Sequence, residues 1–410
     1  MNPLKPTTSS GLFSLPVVVA ALGFFVDVYD LLLFSIIRKQ SLAALGCTPD
    51  QVLTQGEWLI SIQMTGLLVG GVAWGVFGDK YGRVKVLFGS ILLYSLANLA
   101  NAFVQDTTQY AVLRFVAGLG LAGELGAGVT LVMEILPKEK RGVAAAFVSG
   151  LGILGAVAAF FISRVIDWRA CYLAGGVMGM LLLSLRVRIM ESSLYDSVSG
   201  KQVRRGDYRM FFNDRQRFIR YFRLVLMGIP AWFIIGVMVS FADKFAEAMG
   251  ITGVDPGMGI MFTYLFISIG DLSVGLLSNR LQSRKKVLYV FYGITVLFMI
   301  LFYSGWATEA SDIYLLCAGL GFGSGFTVVY ITMSGEQFGT NLRATAAVSI
   351  PNMIRGALPL IILLFHFMRD LTGDYLTGGA ITGALLMTVA VSSAWVTEET
   401  FGKDLDFVEE

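Results

Sequence analysis

An all-α membrane protein of twelve transmembrane helices in two pseudo-symmetric six-helix halves is the fold that the sequence predicts, on three observations. The chain is 55% hydrophobic and only 15% charged over its 410 residues, with a mean hydropathy of +0.70, too apolar for a soluble protein of this length. Its apolar residues gather into runs of about 20, the length of a helix that crosses a bilayer. The halves also repeat at an offset of 200 to 202 residues. Gly75, Asp79, Lys80 and Arg83 match Gly275, Asn279, Arg280 and Arg284; Gly118 and Gly120 match Gly319 and Gly321; Glu134, Arg141 and Gly142 match Glu336, Arg343 and Ala344. Duplicated halves of this kind put a substrate site at their interface, near the bilayer midplane.

The apolar runs and their charged flanks place helices near 14–37, 57–78, 84–104, 108–133, 142–164, 169–187, 222–243, 257–279, 286–304, 311–333, 345–368 and 374–396. Residues 1–187 form the first half and 222–396 the second, with a basic linker at 188–221 and a tail at 397–410. Ten basic and four acidic residues between Arg186 and Arg223 suit either short amphipathic helices on the membrane surface or a solvated connection. Of the Lys and Arg outside the apolar runs, 23 fall on the face of the termini and six on the other, which puts both termini in the cytoplasm. The first helix is too long, too acidic and too weakly flanked by basic residues for a cleaved signal peptide. No Asn-X-Ser/Thr sequon occurs, which favours a bacterial inner membrane. Cys47, Cys171 and Cys317 lack metal-ligand spacing and are read as small apolar residues, although a Cys47–Cys171 bridge is conceivable.

The first helix carries the main functional signal. Asp27 and Asp30 stand in the middle of an apolar run. Each central Asp costs roughly 2.5 to 3.5 kcal/mol to insert, against about 4.5 to 9 kcal/mol from the fifteen Leu, Ile, Phe and Val of the segment. So costly a pair marks a cavity or a partner. The two lie about 60° apart on a helix and are expected to point into one cavity. Two close carboxylates in a low dielectric do not both ionise cheaply, which makes the pair a suitable proton carrier.

Glu124, at a glycine-rich place in the fourth helix, is a second proton-coupling acid. Asp271 and Arg355 are the intramembrane charges of the second half. Arg355 sits with Asn352 between Pro351 and Pro359, where freed backbone groups and a planar guanidinium suit a carboxylate or phosphate. Alternatively it pairs with Asp271 or with an acid of the first half. Tyr29 and Trp232 are the aromatic residues expected to line the cavity. His366, the single histidine, is read as interfacial. No nucleotide-binding loop, zinc spacing or nucleophile elbow is present, so no enzymatic activity, cofactor or metal is expected, and the net charge of +2 reflects topology rather than nucleic-acid binding.

The stretch Gly75-Val-Phe-Gly-Asp79-Lys80-Tyr-Gly82-Arg83-Val-Lys85 resembles the loop signature of the major facilitator superfamily. Arg114-Phe-Val-Ala-Gly118-Leu-Gly120-Leu-Ala-Gly123-Glu124 is similar to its fourth-helix motif, Pro137 to Gly142 to the turn that follows, and Glu398 to Leu405 to the tail of sugar porters and organic-ion transporters. The first helix looks most like that of metabolite and phosphate:proton symporters. Gly236 and Ser240 stand where phosphate symporters carry an acid and a tyrosine, and Glu124 where they carry Asp, a departure that argues against phosphate.

The resemblance implies the major facilitator fold, Arg114 as an aid to protonation change, and a gate on the cytoplasmic rim built from Gly75, Asp79, Arg83, Glu134, Arg141, Glu336 and Arg343. It implies a monomeric secondary transporter in the inner membrane that moves a small polar metabolite, an organic anion, with protons. Asp27, Tyr29, Asp30, Glu124, Trp232, Asp271, Asn352 and Arg355 would meet the substrate. The excess of acids also fits an organic cation or a divalent metal ion, in either direction, and a non-transporting sensor is the alternative from another class.

Overall fold

The computed structural model describes residues 15–81, 83–123, 138–193, 209–339, 342–403 and 409. The described residues are helical in α1 (Leu15–Ala44), α2 (Pro49–Tyr81), α3 (Arg83–Asn101), α4 (Thr107–Leu121), α5 (Lys138–Val165) and α6 (Trp168–Ser193) in the first half. A single turn, α7 (Met210–Asn213), leads into α8 (Arg215–Phe233) and α9 (Ala242–Ala248), then α10 (Pro256–Leu281), α11 (Arg284–Tyr303), α12 (Ala310–Gly323), α13 (Thr327–Gln337), α14 (Arg343–Gly356), α15 (Leu358–Thr372) and α16 (Tyr375–Val396). Nine stretches among the described residues are long and apolar enough to cross a membrane. Side-chain caps start several helices: Asp106 accepts from the Gln109 N–H, Asp214 from Arg217, Ser283 from Lys286 and Asp374 from Thr377. The second half begins earlier than its apolar run, because Asp214 caps a helix whose first turns are basic.

The same packing pairs recur in the two halves. α2 lies on α4 as α10 lies on α12, α3 on α6 as α11 on α16, and α1 on α6 as α8 on α16. The halves meet where α5 packs on α10 and α2 on α14 and α15, also pseudo-symmetric partners. Close approach at glycines fixes the register. A Cβ on Gly118 would lie 2.1 Å from the Gln63 carbonyl of α2, and one on Gly321 would lie 2.2 Å from the Thr263 carbonyl of α10. Gly120 meets the Tyr94 backbone of α3 as Gly323 meets that of Thr295 in α11. In space, therefore, Gly118 and Gly120 correspond to Gly321 and Gly323, two residues on from the match made by sequence.

Three spans of the second half are broken. A π-helix (Ile234–Val239) separates α8 from α9, and the Ser240 hydroxyl donates to the Ile235 carbonyl at 2.8 Å. A 3-10 turn (Ser324–Phe326) joins α12 to α13. The break expected between Pro351 and Pro359 falls at Ala357, while Pro351 is carried inside α14.

On the face that holds both chain ends, the tail folds back onto α11. Glu399 accepts from Ser283 and from the backbone N–H of Arg284 and Lys285. Burial works against its charge, but these hydrogen bonds prevail and hold the carboxyl at about 2. Glu336 pairs with Arg284 at 2.9 Å and accepts from Thr400 at 2.6 Å. The opposite face is closed by ion pairs between the halves. Arg38, 1% exposed, reaches Asp243 at 3.2 Å, donates to the Ser240 carbonyl at 3.0 Å and stacks on Phe241. Lys39 adds a contact to Asp243 at 2.8 Å, Arg164 pairs with Asp255, and His366 approaches Glu57 at 3.1 Å. The three cysteines are free.

Removing one partner of a buried pair leaves a bare charge, which costs about 3 to 5 kcal/mol, whereas replacing both by apolar groups is close to neutral. Asp243→Ala is therefore expected to lower the thermal midpoint of the detergent-purified protein, and Arg38→Met with Asp243→Leu to recover most of the loss. Equal midpoints for wild type and Asp243→Ala would show that the pair is too solvated to matter.

Candidate functional site

The membrane-buried charges collect at one level. Asp27, Ser149, Asp271 and Arg355 each lie ten to twelve residues from the chain-end terminus of their helices α1, α5, α10 and α14, roughly 15 to 18 Å along the axis. Asp27 is fully buried, and its Oδ2 stands 3.9 Å from Arg355 Nη1 across the interface between the halves. That separation is too long for a hydrogen bond. The guanidinium carbon lies 5.9 Å from the Trp232 ring centroid, and the Tyr264 and Tyr330 hydroxyls fall within its electrostatic reach. Among the described residues the buried Nη1 has no hydrogen-bond acceptor.

Asp30, also fully buried, faces elsewhere. Its neighbours are Arg114 and Asn98, inside the first half. Arg114 is 0% exposed, donates to Asn98 Oδ1 at 2.6 Å and stacks 4.7 Å from the Tyr172 ring centroid, so it does not snorkel to an interface. The two acids of the first helix thus divide their partners: Asp30 belongs to the first half and Asp27 to the boundary. Tyr29, expected to line the cavity, is fully buried and donates to the Cys171 carbonyl at 2.9 Å, within the first half. Packing overrides the sequence reading here, because α1 turns this ring toward α6.

Two further bonds cross the boundary at the same level. Ser149 Oγ donates to Asp271 Oδ2 at 2.7 Å, and Asn352 Nδ2 donates to the Ala122 carbonyl at 2.8 Å. Trp232 lies at the end of α8, against the π-helix that redirects the chain. Glu336 is in the chain-end network with Arg284 and Thr400. Glu124 and Glu134 lie outside the described residues, as do the side chains of Asp79, Arg83, Arg141 and Arg343, while Gly75 lies within α2. Among the described residues no group of three His, Cys, Asp or Glu is placed to hold a metal ion.

Sequence reasoning missed Arg38, Asp243, Glu57 and Asp255, each of which sits at the end of an apolar run and reads as a loop charge. It also missed Gly175, whose role depends on contact. A Cβ there would lie 2.3 Å from Asp30 Oδ1 and 3.0 Å from Tyr29 Cε1. Gly175→Ala is expected to push the carboxylate from Arg114 and to cost about 1 to 3 kcal/mol by overpacking, read as a lower thermal midpoint. Gly150→Ala, whose Cβ meets nothing nearer than Ser268 Oγ at 3.5 Å, serves as the tolerated comparison; equal effects would remove the special role of Gly175.

The sequence profile described as Major Facilitator Superfamily matches residues 12–362. The niacin transporter NiaP of Acinetobacter baylyi is 27% identical, over 95% of this chain and 95% of its own. A 3-(3-hydroxy-phenyl)propionate transporter of Escherichia coli is 24% identical, over 84% of each. The solved structure of the proton:xylose symporter XylE bound to 6-bromo-6-deoxy-D-glucose superposes with a TM-score of 0.71 at 15% identity, covering 95% of this chain and 97% of the other. The chain is a multi-pass membrane transporter of small metabolites, not an enzyme, and belongs to the major facilitator superfamily.

Proposed function

We propose that the protein imports a small organic anion together with protons by alternating access, with both termini in the cytoplasm and the chain acting as a monomer in the cell inner membrane. The contact of Arg355 with Asp27 across the halves carries this reading. At 3.9 Å and an effective dielectric of about 20, their attraction is about 4 kcal/mol, of the same order as the cost of desolvating the two ions. The pair gains little net stability, and a substrate carboxylate offering two hydrogen bonds to the guanidinium competes well for Arg355. A proton on Asp27 removes the resident competitor, so that proton and anion enter together and the site stays neutral. Trp232, Tyr264 and Tyr330 around Arg355 suit a planar or aromatic anion, in line with the relatives named for niacin and 3-(3-hydroxy-phenyl)propionate.

Asn352, one turn from Arg355, adds a polar contact, Arg114 sets the charge on Asp30, and Glu124 is a further coupling acid. The cross-half pairs of Arg38 and Lys39 with Asp243 and of Arg164 with Asp255, with the contact of His366 to Glu57, close the external mouth. Asp79, Arg83, Glu134 and Arg141, with Gly75 near the end of α2 and Glu336 and Arg343 in the second half, form the internal gate.

Radiolabelled niacin uptake into proteoliposomes under an imposed pH gradient, inside alkaline, tests this. The gradient is expected to drive accumulation. Arg355→Ala is expected to weaken uptake roughly 10- to 100-fold, the worth of hydrogen bonds to a charged group, and Asp27→Asn to weaken the effect of the gradient. Wild-type anion affinity in Arg355→Ala, or accumulation of amines rather than acids over a wider screen, would overturn the assignment.

A further inference from the structure

Asp271 takes no part in that anion grip, and nothing above explains why a carboxyl is placed there. It is 2% exposed, in the middle of α10. Its Oδ2 accepts from Ser149 of α5, in the other half, at 2.7 Å, and among the described residues its Oδ1 has no hydrogen-bond partner. The groups that face it are hydroxyls: Ser149 from α5, and Thr327 and Tyr330 from α13. Among the described residues no Lys, Arg or His lies within ion-pair distance, and α1, α11 and α12, which also pack on α10, direct no charged side chain at it. The two guanidiniums at this depth are engaged elsewhere, Arg114 with Asn98 and Asp30, Arg355 with Asp27. The neighbouring bond from Ser268 Oγ of α10 to the Gly150 carbonyl of α5, at 3.2 Å, holds the two helices in register at this point.

We propose that Asp271 is a second proton-binding site of the transport cycle, latched by Ser149 across the two halves while the proton is bound. A carboxyl surrounded only by hydroxyls suits its neutral form, because an uncompensated carboxylate inside a membrane protein costs several kcal/mol. Ser149 and Asp271 belong to different halves, so a relative rotation of the halves separates α5 from α10 on the side that opens. Water then reaches Oδ2 in place of the serine, the charged form is solvated, and the proton passes to that water. Closure on the other side reverses the exchange: the proton comes from water, no bond other than O–H is made or broken, and Ser149 again donates to Oδ2. The Ser149 hydrogen bond alone favours the carboxylate but does not offset burial of a full charge, so the closed contact is favoured with the proton bound, and this links protonation to conformation at a site that does not touch the anion.

The inference rests on the reading of the chain as a proton-coupled transporter, and two measurements keep the two separable. Infrared difference spectra of the purified full chain in lipid, titrated across about pH 5 to 9, where buried carboxyls titrate, need no substrate. Wild type is expected to show a protonated-carboxyl C=O band that titrates. Asp271→Asn should remove it, Ser149→Ala should shift its frequency and midpoint, and Asp27→Asn should leave it in place. In proteoliposomes, the ratio of protons to niacin moved is expected to fall by one in Asp271→Asn. If niacin is not accumulated by wild type, the transport reading fails while the spectra still decide on Asp271. Identical titrations for wild type and Asp271→Asn, or a band lost in Asp271→Asn that never titrates in wild type, would overturn the second proton site.

Discussion

The cost of charge inside the bilayer is the constraint on which the rest of this structure depends. Among the described residues the membrane interior holds Asp27, Asp30, Asp271, Arg114 and Arg355, all buried. Each has to be offset locally, and the ways in which this is done divide the molecule. Asp30 and Arg114 face each other within the first half, where Arg114 also donates to Asn98. Asp27 and Arg355 meet only because the halves meet. Asp271 has a hydroxyl from the other half in place of a cation. Charges compensated within a half are indifferent to rocking of the halves; those compensated across the boundary are not.

The packing pairs are pseudo-symmetric and the chemistry is not. α5 on α10 and α2 on α14 are equivalent contacts, yet one carries a hydroxyl–carboxyl bond and the other an asparagine–carbonyl bond. On the chain-end face, Arg284, Glu336 and Thr400 form a closed network inside the second half, and Asn279 takes the place that Asp79 holds in the first. Duplication thus supplies the scaffold and its pivot, while divergence of single residues supplies direction.

The fold was legible because hydropathy and the distribution of Lys and Arg report membrane crossing directly. The intramembrane charges were legible for the same reason, since each interrupts an apolar run. Which charge meets which was not. Asp27 and Asp30 share a helix face by periodicity, yet packing of α1 against α5 and α6 in its own half and α10 in the other sends them to different partners. Arg38 and Asp243 lie at the ends of apolar runs, where a charge reads as solvated, and only the meeting of α1 with the segment after the π-helix buries them. The π-helix itself contains no proline. It is defined by Ser240 bonding back to Ile235 and by Gly236 lying against Leu358, contacts that leave no local signature. The glycine register slipped for a related reason: identity of residue type marks an equivalence in sequence, while the neighbouring backbone decides the equivalence in space.

The two levels of cross-half contact respond differently to the same motion. Arg38 lies eleven residues beyond Asp27 on α1, about 16 Å further from the midplane. A rotation of about 10° about a pivot at the midplane moves a group at that distance by about 3 Å. That is enough to break an ion pair of 3.2 Å; at the level of Asp27, Asp271 and Arg355, nearer the pivot, the same rotation moves the groups less, by enough for water to compete for a single hydrogen bond such as that of Ser149 to Asp271. What changes at the midplane is access of water, and with it the stability of charge. The far pairs therefore suit the role of mechanical locks, and the midplane groups suit sensing whether proton and substrate are present. In the proposed cycle an anion on Arg355 and a proton on Asp27 or Asp271 would alter the free energy of exposing or burying that level, and the far pairs, being close to balanced between attraction and desolvation, would yield to that difference.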